Sequence, residues 1–253
     1  MAAPRGSVSL IEAPLREIDA GWDFKVVILE GEWVLRMPRS ARSVEKIESE
    51  VRLLSALGSV LPVEIPSFEQ VSREPWFVLY RLIHGEPLHD EDPGGVRAFL
   101  DALHGFESDG IQLRRPDWLA IYRAHAEDWQ RVVLPLLDVD ERRQAEAVLA
   151  EIETLTGYVS TLVHCDLGPA HLLCRDGRLV GVIDWGDAKV GDPAVDYAWL
   201  LNGPFPDWDV DDDVRRRARI YYRLGPWFEV EYGVRTEQSE WVRSGLAGLR
   251  SRL

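Results

Sequence analysis

The sequence predicts an α+β protein with two unequal lobes, a small strand-rich lobe followed by a larger helical one. Strand-like runs are concentrated before residue 85, whereas helical spacing of apolar residues dominates after it. The 253 residues, 46% of them hydrophobic, suffice for one large domain or for two lobes that share a cleft. We therefore expect an N-terminal lobe over residues 1–85 and a C-terminal lobe over residues 86–253.

Three strands and one helix are predicted in the N-terminal lobe. The runs Lys25–Glu30 and Trp33–Met37 are separated by a short Glu-Gly-Glu turn, which predicts a hairpin. Residues 43–57 carry apolar side chains at helical spacing, and Ser43 is a suitable N-cap. Residues 76–83 form another strand-like run, which is followed by a Gly and a Pro.

The C-terminal lobe is predicted to be mainly helical, with one short hairpin. Apolar spacing predicts helices over residues 96–103, 118–137, 139–155, 212–224 and 239–250. Two short apolar runs, Leu162–Val163 and Val180–Ile183, lie between them. The dipeptide Asp176-Gly177, a strong hairpin turn, precedes the second run.

Composition narrows the class of partner. The formal net charge of −14 argues against a nucleic-acid partner, which needs clustered Lys and Arg. A negative net charge would attract a cationic small molecule. Alternatively, the charge only keeps the protein soluble. The two cysteines cannot form a disulfide framework, so we expect a cytoplasmic protein. We expect neither a signal peptide nor a membrane span, because no long apolar run is present.

Residues 162–200 concentrate the side chains that can do chemistry, with two histidines, two cysteines and six aspartates. A zinc site is disfavoured because His164 and Cys165 are adjacent and would point in different directions. A nucleophilic Cys165 is also disfavoured, because a sequence neighbour rarely serves as the activating base. A small side chain packed under a loop is the simpler interpretation of Cys165.

Phosphoryl transfer fits this stretch better. The reaction needs one carboxylate to orient the attacking hydroxyl and further ligands to hold Mg²⁺ against the nucleotide phosphates. Asp166 follows a short strand, His171 comes five residues later, and Asp184 ends the next strand. A hairpin turning at Asp176-Gly177 would bring Asp166 and Asp184 to the same edge.

The same stretch resembles a known family. Residues 164–171, HCDLGPAH, resemble the catalytic loop of the aminoglycoside phosphotransferase family, which has a protein-kinase-like fold. Residues 183–187, IDWGD, resemble that family's metal-binding segment. The resemblance implies an antiparallel β-sheet N-lobe with one helix and a larger helical C-lobe. It also implies Asp166 as catalytic base, His171 and Asp184 as Mg²⁺ ligands, and ATP or GTP as co-substrate.

The resemblance extends to the predicted nucleotide site. Arg36 stands where the family has a basic residue that contacts the α- and β-phosphates, and Glu50 stands where its helix partner is found. Glu50 could instead be a solvent-facing helix charge. Backbone groups of Arg81 and Ile83 would bind the purine at the hinge. Tyr80 would lie behind the base, or it is an ordinary strand residue.

Three features depart from the family pattern. The loop over residues 20–24 has one glycine instead of a glycine-rich run. His171 stands where many relatives have asparagine, although Mg²⁺ prefers oxygen ligands. Arg36 replaces the lysine of protein kinases, and arginine offers a broader, bidentate grip.

The acceptor is the least determined part of the prediction. The acidic run over residues 207–213 is either a helix start or an acidic wall for a cationic substrate. Residues 224–233 resemble a C-terminal helix of antibiotic kinases, which places Trp227 and Glu229 near the substrate. Asp187, which follows the metal-binding segment, is a further candidate.

Three functions are consistent with these features. The favoured one is a kinase that phosphorylates a hydroxyl of an aminoglycoside-like antibiotic. The second is a kinase of an ordinary metabolite, such as a sugar amine, an amino alcohol or an amino acid. The third is a pseudokinase that binds nucleotide and regulates a partner, although the presence of both Asp166 and Asp184 speaks against it.

Overall fold

The N-terminal lobe is built on an antiparallel sheet of five strands in the order β1-β2-β3-β5-β4. The computed structural model describes residues 15–18, 22–58 and 60–253. The strands are β1 (Leu15–Ile18), β2 (Phe24–Leu29), β3 (Trp33–Pro38), β4 (Phe68–Arg73) and β5 (Trp76–Arg81). The predicted hairpin is the β2–β3 pair, in which Leu29 lies opposite Trp33. Most of the predicted loop over residues 20–24 precedes β2, and only Trp22, Asp23 and Phe24 of it lie within the described residues.

Helix α1 (Ala41–Leu57) contacts β3 in the N-terminal lobe and the 3₁₀ turn Trp185–Asp187 in the C-terminal lobe. It begins earlier than predicted, because the Ser40 side chain caps it by accepting the Ser43 N–H at 3.1 Å. The helix buries apolar residues such as Ile47 and Leu54. The same helix also buries Lys46 and Glu50, so its inner face carries charge into the molecule.

The C-terminal lobe is mainly helical, and most of its helices pack around one large core. Trp129, Trp185 and Phe99 are among its largest fully buried side chains. The helices are α2 (Pro93–His104), α3 (Trp118–Val132), α4 (Val139–Glu151), α5 (Ala198–Asn202), α6 (Asp212–Arg235) and α7 (Ser239–Arg250). None of the described helices is long and apolar enough to cross a membrane. The structure thus has the predicted α+β architecture, with a strand-rich lobe before a helical one.

Two helix ends differ from the prediction for physical reasons. The helix predicted to reach residue 137 ends at Val132, and Pro135 lies in the short 3₁₀ turn that follows. Helix α6 continues eleven residues beyond the predicted end and contains Pro226. The acidic run supplies its start, since the Asp211 side chain accepts the N–H groups of Asp213 and Val214. That arrangement favours the helix-start interpretation of the run.

Two small sheets position the loops of the C-terminal lobe that carry the candidate site residues. Strands β6 (Glu86–Pro87), β8 (Leu172–Arg175) and β9 (Arg178–Val182) form one sheet, and β7 (Thr161–Val163) pairs with β10 (Lys189–Gly191) in the other. The β8–β9 hairpin turns at Asp176-Gly177, where both residues have positive φ. Its register pairs Leu172 with Val182. The neighbouring residues His171 and Ile183 therefore lie at the same end of the hairpin, opposite the turn.

Candidate active site

The loop after β7 is held by a buried hydrogen-bond network. Both oxygens of the Asp196 carboxylate accept backbone N–H groups, from His164 at 3.0 Å and from Cys165 at 2.8 Å. The His164 ring donates from Nε2 to the Ile183 carbonyl at 3.0 Å, and its Nδ1 faces the Asp166 N–H at 3.3 Å. Burial lowers the pKa of His164 to about 4, so the ring is neutral at pH 7. His164 therefore fixes the loop, and its one ring proton is engaged with the Ile183 carbonyl.

Asp166, His171 and Asp184 converge at the end of the β8–β9 hairpin. One possible ligand atom from each residue lies within 4.8 Å of the others. The 3₁₀ turn Pro169–His171 folds His171 back toward Asp166, and the Ile183 N–H donates to the His171 carbonyl at 3.0 Å. The sequence brings these three side chains together through one turn and one hairpin.

The orientation of His171 suits a metal ligand. Its Nδ1 donates to the Asp166 backbone carbonyl at 2.7 Å, which assigns the proton to Nδ1. The lone pair of Nε2 is then free, and Nε2 lies 3.8 Å from Asp184 Oδ2. One imidazole nitrogen and two carboxylates fit a divalent cation, and this residue set could hold Mg²⁺. The two cysteines are not part of this group, and burial raises the pKa of the Cys165 thiol.

The pKa of the Asp166 carboxyl group lies above its ordinary value. Desolvation in the cleft and the carboxylate of Asp184 raise its pKa to about 6, while His171 opposes the shift. Because 55% of the side-chain surface remains open to solvent, water screens part of these interactions. The carboxylate is thus accessible to a substrate and still mostly ionised at pH 7.

Arg36 connects the two lobes through a buried ion-pair network. Its Nη1 lies 2.7 Å from Glu50 Oε1, and its Nη2 lies 3.0 Å from Asp184 Oδ1. The guanidinium also lies over the Phe24 ring at 4.3 Å. Arg36 and Glu50 are only 4% and 1% exposed, so Glu50 is not a solvent-facing helix charge. Both carboxylates raise the pKa of Arg36 against the effect of burial, which keeps it charged.

The predicted hinge lies at the end of β5. Tyr80 is buried and meets Phe68 edge-on at 5.7 Å, and burial raises its pKa to about 12. The Leu82 N–H donates to the Glu32 carbonyl at 2.8 Å. Since backbone groups alternate in direction along an extended chain, those of Arg81 face the opposite side. Within the described residues, no backbone hydrogen bond involves Ile83, which leaves its N–H and C=O available.

Asp187 is surrounded by cations. Lys46 Nζ lies 2.8 Å from Asp187 Oδ2, and Arg114 donates to the adjacent Gly186 carbonyl at 3.2 Å. Burial alone would raise the pKa of Asp187, but Lys46, Lys189 and Arg114 together hold it below its ordinary value. The sequence analysis did not place these three cations in the site. The rarity of lysine in this chain is a signal that could have drawn attention to Lys46 and Lys189.

Trp227 and Glu229, both predicted to lie near the substrate, are on helix α6. Trp227 is completely buried in the helical core and packs on Trp129 at 5.5 Å. The predicted position of Trp227 near the substrate stays a prediction, and in this conformation its side chain has no surface open to solvent. Glu229 is half-buried on the same helix, and its substrate role stays a prediction.

A family model decides the classification. The model of the phosphotransferase enzyme family APH matches residues 14–230, which is most of the chain. The chain belongs to this family. It is thus a phosphotransferase, and the predicted resemblance is confirmed.

Relatives in the APH family agree over most of the chain. Viomycin phosphotransferase from Streptomyces vinaceus is 27% identical over 200 residues, which cover 69% of this chain and 69% of that protein. The uncharacterised protein YcbJ of Bacillus subtilis (strain 168) is 28% identical over 216 residues, covering 71% and 67%.

Solved structures share the fold. The GDP complex of wild-type aminoglycoside 2'-phosphotransferase-IIIa superposes with a TM-score of 0.82 at 24% identity, covering 96% of this chain and 93% of that one. Macrolide 2'-phosphotransferase MphH from Brachybacterium faecium gives a TM-score of 0.71 at 24% identity, covering 93% and 91%. These likenesses confirm the predicted two-lobed, kinase-like architecture.

Proposed function

We propose that this chain transfers the γ-phosphoryl group of ATP or GTP to a hydroxyl of an aminoglycoside-like antibiotic. The observation that carries the proposal is the convergence of Asp166, His171 and Asp184 within 4.8 Å, beside the Arg36–Glu50 pair. Such an arrangement supplies a base, metal ligands and a phosphate-binding cation in one cleft, as phosphoryl transfer requires.

In the proposed reaction each residue has a limited task. Asp166 orients the acceptor hydroxyl and takes its proton as the P–O bond to the acceptor forms. The bond between the γ-phosphorus and the β–γ bridging oxygen breaks, and the nucleoside diphosphate leaves with that oxygen. His171 and Asp184 would hold Mg²⁺, which supplies charge neutralisation between the nucleotide phosphates. Arg36, fixed by Glu50, attracts the α- and β-phosphates, and the hinge backbone at Ile83 binds the base. Positioning and charge stabilisation provide most of the rate.

Related proteins support the choice of acceptor class. The solved relatives include an APH(2'')-IIIa complex with GDP and kanamycin and macrolide phosphotransferases, and a sequence relative is a viomycin phosphotransferase. Several of these names point to cationic antibiotics that carry hydroxyl groups. The formal charge of −14 on this chain is compatible with attraction of such a substrate.

A substrate screen by mass spectrometry tests the proposal. The purified protein is incubated with Mg²⁺, ATP or GTP, and panels of aminoglycosides, macrolides and peptide antibiotics, and products are searched for the mass of one added phosphoryl group. We expect at least one aminoglycoside to be modified by the parent protein and none by Asp166→Asn. If only peptide antibiotics or macrolides are modified, the acceptor class is wrong and the phosphotransferase assignment stands.

One observation favours an ordinary metabolite as a second candidate acceptor. Asp187 is already compensated by Lys46, Lys189 and Arg114, so this carboxylate contributes little attraction for a polycation. A small sugar amine, amino alcohol or amino acid needs fewer free carboxylates. Expression in a susceptible host distinguishes the two candidates: protection against an antibiotic supports the first, whereas turnover of a metabolite without protection supports the second.

A further inference from the structure

Lys46 is built into the cleft, although it belongs to no motif of the sequence. It lies on α1 one turn before Glu50, so both side chains are on the same helix face. Lys46 is only 7% exposed. Its Nζ lies 2.6 Å from Asp23 Oδ2 and 2.8 Å from Asp187 Oδ2. One ammonium therefore joins the loop that precedes β2 to the segment that follows Asp184.

The surroundings of Lys46 fix its position. A Cβ added at Gly186 would lie 3.7 Å from Lys46 Cβ and 3.7 Å from the Phe24 ring, which is ordinary van der Waals distance, so the lysine stem lies beside this glycine. On the other side, Ser43 Oγ donates to Asp23 Oδ1 at 3.2 Å and holds that carboxylate in place. The ammonium thus occupies a defined point in the cleft.

The local charge balance leaves Lys46 available for an anion. Asp187 also interacts with Lys189 and Arg114, so Lys46 does not have to neutralise it alone. The region then holds three cations against the carboxylates of Asp187 and Asp23. An ammonium has three N–H donors, of which two are used here.

The reaction needs a further cation near the terminal phosphate. Arg36 is already engaged by Glu50 and Asp184, and residues 164–171 of the catalytic loop contain neither lysine nor arginine. Negative charge in the transition state is spread over the equatorial oxygens of the transferring group. A compact ammonium with a free donor is suited to meet one of these oxygens.

The rarity of lysine is consistent with a specific need at this position. The chain contains three lysines and 26 arginines. Two of the three, Lys46 and Lys189, act on Asp187, while Lys25 pairs with Glu17 away from the cleft.

From these contacts we infer that Lys46 binds the terminal phosphate of the nucleotide, with Asp23 and Asp187 holding its ammonium in place. The inference rests on the proposed function, because it requires a nucleoside triphosphate in this cleft. It adds to that function a residue that distinguishes triphosphates from diphosphates.

Calorimetric titration with ATP, ADP, GTP and GDP in the presence of Mg²⁺ tests the inference without any acceptor. Loss of one charge-assisted hydrogen bond predicts about 10- to 100-fold weaker triphosphate binding by Lys46→Met. Diphosphate binding should change little. Lys25→Met, which removes an exposed lysine paired with Glu17, is the matched control and should bind like the parent. Lys46→Gln repeats the comparison if Lys46→Met does not fold.

The outcomes of the titration separate the role of Lys46 from the proposed function. Selective loss of triphosphate affinity supports the contact with the terminal phosphate. Equal losses for triphosphate and diphosphate would show that Lys46 only shapes the cleft, and an unchanged triphosphate affinity would also overturn the inference. If the parent protein binds neither ATP nor GTP, the proposed function itself fails. A parent that binds triphosphate while Lys46→Met binds equally well refutes the lysine role alone.

Discussion

The buried pair of Arg36 and Glu50 provides the sharpest test of how the cleft is held together. Replacing Glu50 with leucine removes the carboxylate 2.7 Å from the guanidinium but keeps a side chain of similar bulk. The guanidinium would then remain buried with Asp184 as its surviving carboxylate partner at 3.0 Å. An incompletely paired buried charge is costly because water cannot replace the missing partner.

The magnitude follows from the burial of both groups. Removing one partner of a buried ion pair costs about 3–5 kcal/mol, and the surviving contact with Asp184 offsets part of this, so we expect a loss of about 3 kcal/mol for Glu50→Leu. The double variant Arg36→Met, Glu50→Leu should lose less than Glu50→Leu alone, because no buried guanidinium is left without its partner. Both replacements are apolar and of comparable volume.

Urea unfolding followed by tryptophan fluorescence gives the free energy of unfolding for the parent, both single variants and the double variant. If Glu50→Leu lowers the free energy of unfolding by less than about 1 kcal/mol, the reasoning is refuted, because a loss of that size is expected for an exposed ion pair. A double variant less stable than Glu50→Leu would refute it as well. Nucleotide binding measured on the same samples should weaken in every variant that lacks the arginine.

Four further outcomes follow from the site geometry. Asp166→Asn should lower kcat by about 10²- to 10⁴-fold, the range for loss of a general base, with nucleotide affinity by calorimetry unchanged. In the metal-free protein, an NMR titration of the Asp166 carboxyl should have its midpoint at pH about 6. The midpoint should fall when Mg²⁺ is added, because a nearby cation favours the carboxylate. A midpoint near the ordinary value of about 4 in the metal-free protein would contradict this prediction. His171→Asn, which offers an amide oxygen in place of nitrogen, should raise activity with Mg²⁺ relative to Mn²⁺ in steady-state assays, and an unchanged ratio would argue against a ligand role. Trp22 stacks on Tyr232 with 4.3 Å between the ring centroids. Trp22→Ala and Tyr232→Ala should therefore accelerate hydrogen exchange of the Asp23 amide to a similar extent. The expected acceleration is a few-fold, because such a stacking contact contributes about 0.5–1.5 kcal/mol.

Local patterns in the sequence were sufficient to predict that Asp166, His171 and Asp184 lie close together. Four residues separate Asp166 from His171, and Asp184 follows a hairpin whose turn, Asp176-Gly177, is clear from the sequence. Short-range geometry of this kind is encoded within one contiguous stretch. The prediction that these three side chains share one edge therefore needed no knowledge of the rest of the fold.

Side-chain direction on α6 could not be predicted in the same way. The helix contains Trp227, Glu229 and Glu231 within five residues, and all of them are at least partly buried. Trp227 enters the helical core, whereas Glu231 accepts the Trp129 Nε1–H at 2.7 Å. Which residue faces a cleft depends on the rotation of the helix against its neighbours, and tertiary packing sets that rotation. The sequence therefore did not show that Trp227 is buried, and its predicted place near the substrate stays a prediction.

The cleft itself is defined by contacts that link distant parts of the chain. Arg36 on β3 meets Asp184, and Lys46 on α1 meets Asp187, in each case across more than a hundred residues. Trp22, next to Asp23 in the loop that precedes β2, packs on Tyr232 and Trp241 in the last two helices. Both lobes are therefore tied to one another through the groups that would surround the nucleotide phosphates. We expect a ligand that competes for Lys46 or displaces Trp22 to loosen these contacts, which would couple ligand binding to the arrangement of the lobes.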